Sequence, residues 1–225
     1  MVRQAAEGLW LHEASVSMMG MTLPCRMVIA KLAGGGLWLH SPTKLDEAAR
    51  GALAEIGGPV TWRVAPNLFH HVFQGDYQDA YPESKLIAPR GLKKKRPDLE
   101  IDAFLETAGP EPFGPEIEGH PVPGTPGREW VFLHRPSRSL IVTDLAFATD
   151  ASFSAFGRLY GRLTGIHGRL GVPIHLRLLY RKRVAMAEAV ERLLALDFQR
   201  IVPAHGPVIE ERPKEALAEA FAFLR

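Results

Sequence analysis

Pro66-Asn67-Leu68-Phe69-His70-His71 follows an apolar run at residues 60–65. The run reads as a strand that Pro66 closes, so two adjacent imidazoles stand where the loops of a sheet protein converge. Two later stretches repeat that placement: Thr143-Asp144 closes the run 140–143, and Pro203-Ala204-His205-Gly206-Pro207 closes the run 200–203. Together they offer two imidazoles, a carboxylate and a third imidazole, a donor set that suits zinc or iron. Each residue alone has a plainer reading. A strand-end His commonly makes a structural hydrogen bond, and Asp144 suits a turn or a helix N-cap. Their shared position at strand ends favours reading them jointly.

The rest of the chain fills in around these three strand ends. Residues 9–18, 26–33 and 37–40 are short apolar or alternating runs broken by Gly20 and Gly34-Gly35-Gly36, the pattern of an antiparallel meander. Ser41-Pro42-Thr43 then precedes Leu45, Ala48, Ala49, Leu53 and Ile56 at helical spacing, with Gly57-Gly58 as the stop, which predicts a helix over 43–56. A loop with a short helix leads to a strand at 86–88. Residues 106–128 are rich in Pro, Gly and Glu and predict an irregular connection or short edge strands. The runs 130–133 and 140–143 flank Arg135-Pro136-Ser137-Arg138 as a hairpin would. Helical spacing marks 151–164, 177–196 and 213–224. Strands and helices followed by strands and helices predict an α/β fold, an αββα sandwich of two mixed sheets with helices outside, as a single domain over 1–225.

Composition supports a globular chain and narrows the chemistry. With 225 residues, 46% hydrophobic and 23% charged, it can bury a core without staples. One cysteine, Cys25, rules out an internal disulfide and a Cys-rich zinc site, so any metal is held by His, Asp or Glu. A net charge of +2 does not imply nucleic acid, and the dense basic run Lys93-Lys94-Lys95-Arg96 reads as a solvated turn. No signal-like N-terminus and no stretch of ~18 apolar residues is visible, so a cytoplasmic protein with no membrane association is expected.

The sequence resembles the metallo-β-lactamase-like superfamily, and within it a divergent branch classed as a domain of unknown function. The resemblance spans nearly the whole chain. It rests on Arg26-Met27, the segment from Gly35 to Pro42, Pro66-Asn67 with His70-His71, Tyr81-Pro82 and Leu92, then on Glu129, Phe132, the segment from His134 to Leu145, and Pro203-Ala204-His205-Gly206. The superfamily's metal motif is His-x-His-x-Asp-His, with a further His in a Gly-His-Thr turn, an Asp ending a strand and a His before Gly. If His70-His71 is laid on the Asp-His end, the two leading His positions fall on Pro66 and Leu68, and no His stands near Gly124-Thr125. The resemblance therefore implies that one metal position is lost, while His70, His71, Asp144 and His205 serve the other.

The expected activity is mononuclear, metal-dependent hydrolysis of a small molecule by a metal-bound water, with zinc the first choice of ion and iron or manganese the next. His134 at a strand end and His120 in the Pro/Gly-rich connection are candidates to hold a ligand in place by hydrogen bonding or to replace a lost one. The alternative is a non-catalytic protein of the same fold that binds a small molecule or a protein, its metal site closed or empty.

Overall fold

Strand residues alternate between two faces, and in this computed structural model, which describes residues 2–18, 21–109 and 112–224, the central strands of both sheets are buried on both faces. The larger sheet runs in chain order: β1 (Val2–Ala6), β2 (Leu9–Met18), β3 (Met21–Lys31), β4 (Leu37–His40), β5 (Val60–Val64), β6 (Lys85–Ala88) and β7 (Ala103–Phe104). Its first four strands are antiparallel, and β4 to β7 are parallel. The smaller sheet has the order β11 (Arg200–Pro203), β10 (Ser139–Val142), β9 (Trp130–His134), β8 (Ile117–Pro121). Only its β10–β11 pair is parallel.

Alternation sorts the core into layers. Val28, Ala30 and Trp38 of the larger sheet meet Phe132, Ile141 and Val202 of the smaller one between the sheets. Their chain neighbours Met27, Ile29, Leu37 and Leu39 face outward and pack with Ala49 and Leu53 of α1 (Glu47–Ile56) and Tyr77 of α2 (Gln74–Ala80). On the far side, Val131, Leu133, Leu140 and Val142 meet Met186, Val190 and Leu193 of α5 (Arg183–Ala195) and Leu217 of α6 (Pro213–Ala220). The result is the four-layered αββα sandwich of two mixed sheets. Strands buried on both faces are continuously apolar, which is why Leu37-Trp38-Leu39 shows no polar alternation.

Several boundaries differ from those expected. The first helix starts at Glu47, not near Thr43, because the Asp46 carboxylate caps it by accepting from the Ala49 N–H at 2.9 Å. Thr43 is buried instead, its hydroxyl 2.9 Å from His12 Nδ1. An additional strand, β1, precedes the first expected one, and β3 begins at Met21. The Pro/Gly-rich connection takes the second of its two expected forms, a short edge strand, β8. The expected helix at 177–196 divides into a 3-10 turn at Leu176–Leu179 and α5, separated by Lys182 at φ 53°. The Gly20 break and Pro110-Glu111 lie outside the described residues.

Parallel neighbours end at the same edge. Val142 pairs with Pro203, so Asp144 and His205 emerge side by side, while β4 and β5 end at His40 and Val64, just before Ser41 and the Pro66–His71 turn.

Candidate metal centre

Asn67 organises the first strand end. Its Oδ1 accepts the backbone N–H groups of Phe69 and His70, both at 2.8 Å, which curls the chain into a turn. Its Nδ2 donates to Glu129 Oε2 at 2.7 Å and to Asp144 Oδ2 at 2.8 Å. One fully buried amide thus ties the turn after β5 to the smaller sheet. The backbone adds two further ties, Trp130 N to Pro66 O at 2.9 Å and Leu68 N to Gly127 O at 2.8 Å. His70 Nδ1 lies 2.5 Å from the Ser41 hydroxyl, which fixes the ring and leaves Nε2 pointing at Asp144 Oδ2, 3.4 Å away.

The third strand end is held from the opposite sheet. His205 Nδ1 donates to the Pro24 carbonyl at 2.7 Å, so Nε2 is the ring atom turned to Asp144 Oδ1, 3.6 Å away. The Arg26 guanidinium brackets the turn, donating to Pro203 O and, at 2.8 Å, to Gly206 O, while its Nε donates to Glu13 at 2.8 Å. Gly206 sits at φ 80°, where a Cβ would lie 2.0 Å from the Ala148 carbonyl oxygen. Only glycine fits that turn.

His70, Asp144 and His205 each present a ligand atom within 4.8 Å of the others. Burial alone would push the Asp144 carboxyl up, but the charges and hydrogen bonds of His70 and His205 outweigh it and hold the carboxyl below its usual range. Glu129 goes the other way: burial, then the charge of Asp144, raises its carboxyl above the normal range, although Asn67 and Thr143 both hydrogen-bond to it. Two carboxylates bridged by one amide therefore carry different affinities for a proton. The donor chemistry of the three ligands fits a divalent ion: two imidazole nitrogens whose other ring atoms are fixed by hydrogen bonds, and one carboxylate.

The structure brings together three of the four ligands expected from the sequence. His71 is buried beside them but faces Arg96, whose Nη1 lies 3.2 Å from His71 Nδ1 and donates to the His71 carbonyl at 3.0 Å. Burial, then Lys95 and Arg96, push its pKa down to about 4. A guanidinium against the ring repels a second cation. His134 lies a strand length away, at the opposite end of β9, bonded to the Ser137 hydroxyl at 2.6 Å. His120 pairs across from Val131 on the face covered by helices, 3.4 Å from Glu118. Neither is among the three clustered residues. Asn67, Ser41, Arg26 and Glu129 had no role assigned from sequence. The signal for Asn67 was local: an Asn just before a turn accepts N–H groups two and three residues on.

No family model and no curated protein sequence matches the chain. Among solved structures it is similar to a metallo-β-lactamase from Pontibacter korlensis, at 16% identity over 100% of this chain and 98% of that one, TM-score 0.66. It is also similar to the metallo-β-lactamase FIM-1 from Pseudomonas aeruginosa in its mono-zinc form, at 14% identity over 99% of this chain and 95% of that one, TM-score 0.63. A third is a metal-soaked flavodiiron core, Flv1, from Synechocystis, at 11% identity over 100% of this chain and 60% of that one, TM-score 0.69. At these identities the likeness is one of fold: the chain has the metallo-β-lactamase fold.

Proposed function

We propose that the chain is a hydrolase that uses one divalent metal ion, zinc by preference, held by His70, Asp144 and His205, and acts on a small molecule. The observation that carries this reading is the convergence of three donor atoms within 4.8 Å at the joined ends of three strands, with Nε2 of His205 left free by its bond to the Pro24 carbonyl. When bound, such an ion lowers the pKa of a coordinated water toward neutrality and polarises the bond under attack. The protein's part is to keep the donors in place: Ser41 and Pro24 orient the imidazoles, and Asn67 holds the Asp144 carboxylate. Three protein ligands leave room in a tetrahedral shell, whereas a structural site is usually closed by four. That count favours catalysis over the competing reading, a binding module with a closed or empty site.

Calorimetric titration of metal-free protein with zinc tests the proposal. One equivalent binds, and Asp144→Asn or His205→Ala weakens binding by about 100-fold, the scale on which ligand and near-ligand changes act. His71→Ala leaves the stoichiometry at one. The loaded protein hydrolyses at least one member of a panel of chromogenic esters, lactams and phosphodiesters, and a chelator abolishes that activity. Failure of zinc, iron and manganese alike to bind at one equivalent overturns the reading.

A further inference from the structure

The helix after the metal centre is amphipathic but presents its apolar side to solvent. In α4 (Ala155–Thr164), Phe156, Leu159 and Leu163 fall on one face at spacings of three and four. They are 61%, 49% and 76% exposed. The opposite face is the one that packs: Gly161 is buried, and a Cβ there would lie 1.8 Å from the Thr149 hydroxyl. The helix therefore docks through its small residues and leaves its large ones outside. The next segment adds to the same surface. Ile174, Leu178 and Leu179 are exposed, and Ile174 N bonds to Thr164 O while Tyr160 and His175 stack edge to face, which seats this segment against the end of α4. Val184, on the first turn of α5, is also exposed. Seven of the nine exposed large hydrophobic residues found among the described residues fall between positions 156 and 184.

The charge of this segment is one-sided. From Ala151 to Ala187 the sequence holds six arginines and Lys182 and no aspartate or glutamate, in a protein whose net charge is only +2. Arg162, Arg169, Arg181 and Lys182 are exposed around the apolar residues. Soluble proteins rarely leave contiguous apolar surface uncovered, and α4 alone aligns three exposed large apolar side chains on one face. An apolar face bordered by Arg and Lys, with exposed Glu188 one turn after Val184 as its nearest acidic side chain on α5, complements a surface that is apolar below and negatively charged above, as at the boundary between acyl chains and headgroups of an anionic bilayer.

We propose that the face formed by α4 and residues 174–184 docks on an anionic lipid surface, with Phe156, Leu163 and Leu178 inserted and the arginines on the headgroups. No helix is long and apolar enough to cross a membrane, so the contact is peripheral. This departs from the expectation of no membrane association, which rested on the lack of a spanning segment. Phe147 links the face to the metal centre: its ring packs on His205 at 5.8 Å, and its backbone pairs with Gly171 beyond α4.

Co-sedimentation of the purified full chain with vesicles tests the proposal, without reference to metal or activity. The chain pellets with phosphatidylcholine vesicles containing about one-third phosphatidylglycerol and stays in solution with phosphatidylcholine alone, and raising the salt to about 1 M releases it. Leu163→Ser/Leu178→Ser and Arg162→Glu/Arg181→Glu each reduce the bound fraction at least tenfold. All four residues are exposed, so unchanged circular dichroism and melting confirm that the variants fold. Three results would overturn the proposal: no binding to anionic vesicles, equal binding to neutral ones, or a dimer in sedimentation velocity that Leu163→Ser/Leu178→Ser dissolves.

Discussion

Replacing Asn67 with alanine removes four hydrogen bonds through one side chain. Two are donated by Nδ2, to Glu129 and Asp144, and two are accepted by Oδ1, from the N–H groups of Phe69 and His70. Asn67 is fully buried, so water does not readily replace the lost partners. A hydrogen bond to a charged group contributes ~1.5–3 kcal/mol and a buried group left unpaired costs ~1–3 kcal/mol; allowing for relaxation, the loss is about 3–5 kcal/mol. In a chain of this size each kcal/mol moves the melting temperature by ~2–4 °C, so the variant melts ~10 °C lower. Urea denaturation and thermal melts followed by circular dichroism measure both quantities. Asn67→Asp sharpens the test. It keeps the acceptor for the two N–H groups but replaces the donor with a carboxylate facing that of Asp144, so it is at least as unstable as the alanine variant at neutral pH and recovers on mild acidification. An alanine variant within about 1 kcal/mol of the parent would refute the view that this amide joins the turn to the smaller sheet.

Two further outcomes follow from the same contacts. Burial lowers the pKa of His134 to about 4, and burial followed by the charge of His70 lowers that of His40 to about 3. The unfolded chain takes these protons near the usual 6.5 while the folded chain refuses them, so their contribution is complete above pH 6.5 and is lost as pH falls toward 4. His134 alone accounts for about 2 kcal/mol lost by pH 5. The urea midpoint should fall between pH 7 and 5, less steeply in His134→Leu, and a flat profile in the parent would contradict the assignment. Gly206→Ala combines a left-handed backbone with a Cβ 2.0 Å from the Ala148 carbonyl, so the His205 turn must shift. Zinc affinity drops at least tenfold with a stability loss of only ~1–3 kcal/mol, and unchanged affinity in isothermal titration would show that the turn does not position His205.

The layered architecture was legible because it rests on period. Leu37-Trp38-Leu39, Leu140-Ile141-Val142 and Ile201-Val202 are short apolar runs that suit strands covered on both faces, and the helical stripes of α1, α5 and α6 complement them. The boundaries that were missed depended on contacts far along the chain. Thr43 reads as a helix cap until His12, 31 residues earlier, takes its hydroxyl, after which Asp46 caps instead. β8 is the short edge strand that residues 106–128 allowed, and an edge tolerates Pro121 at its end. For the candidate site, strand-end position picked out the three residues whose donor atoms cluster, His70, Asp144 and His205. Glu129 went unassigned because its partner Asn67 lies 62 residues away, a pairing that no local pattern encodes.

His71 shows where sequence proximity misleads. Two adjacent histidines suggest two ligands for one ion, yet consecutive side chains in a tight turn point in different directions. Here the turn is closed by His71 N to Phe69 O at 3.0 Å and continued by Gln74 N to His71 O. His70 is thereby turned toward Asp144, and His71 toward the basic segment at the end of α3 (Leu92–Lys95). Arg96, read from sequence as part of a solvated charge run, is anchored instead: its guanidinium binds Asp98 at 2.6 Å and the His71 carbonyl at 3.0 Å. Arg96 thus holds the His71 ring by Nδ1, and three donor atoms cluster where four were expected. On the proposed reading, three ligands leave a coordination position for water, which four could have closed.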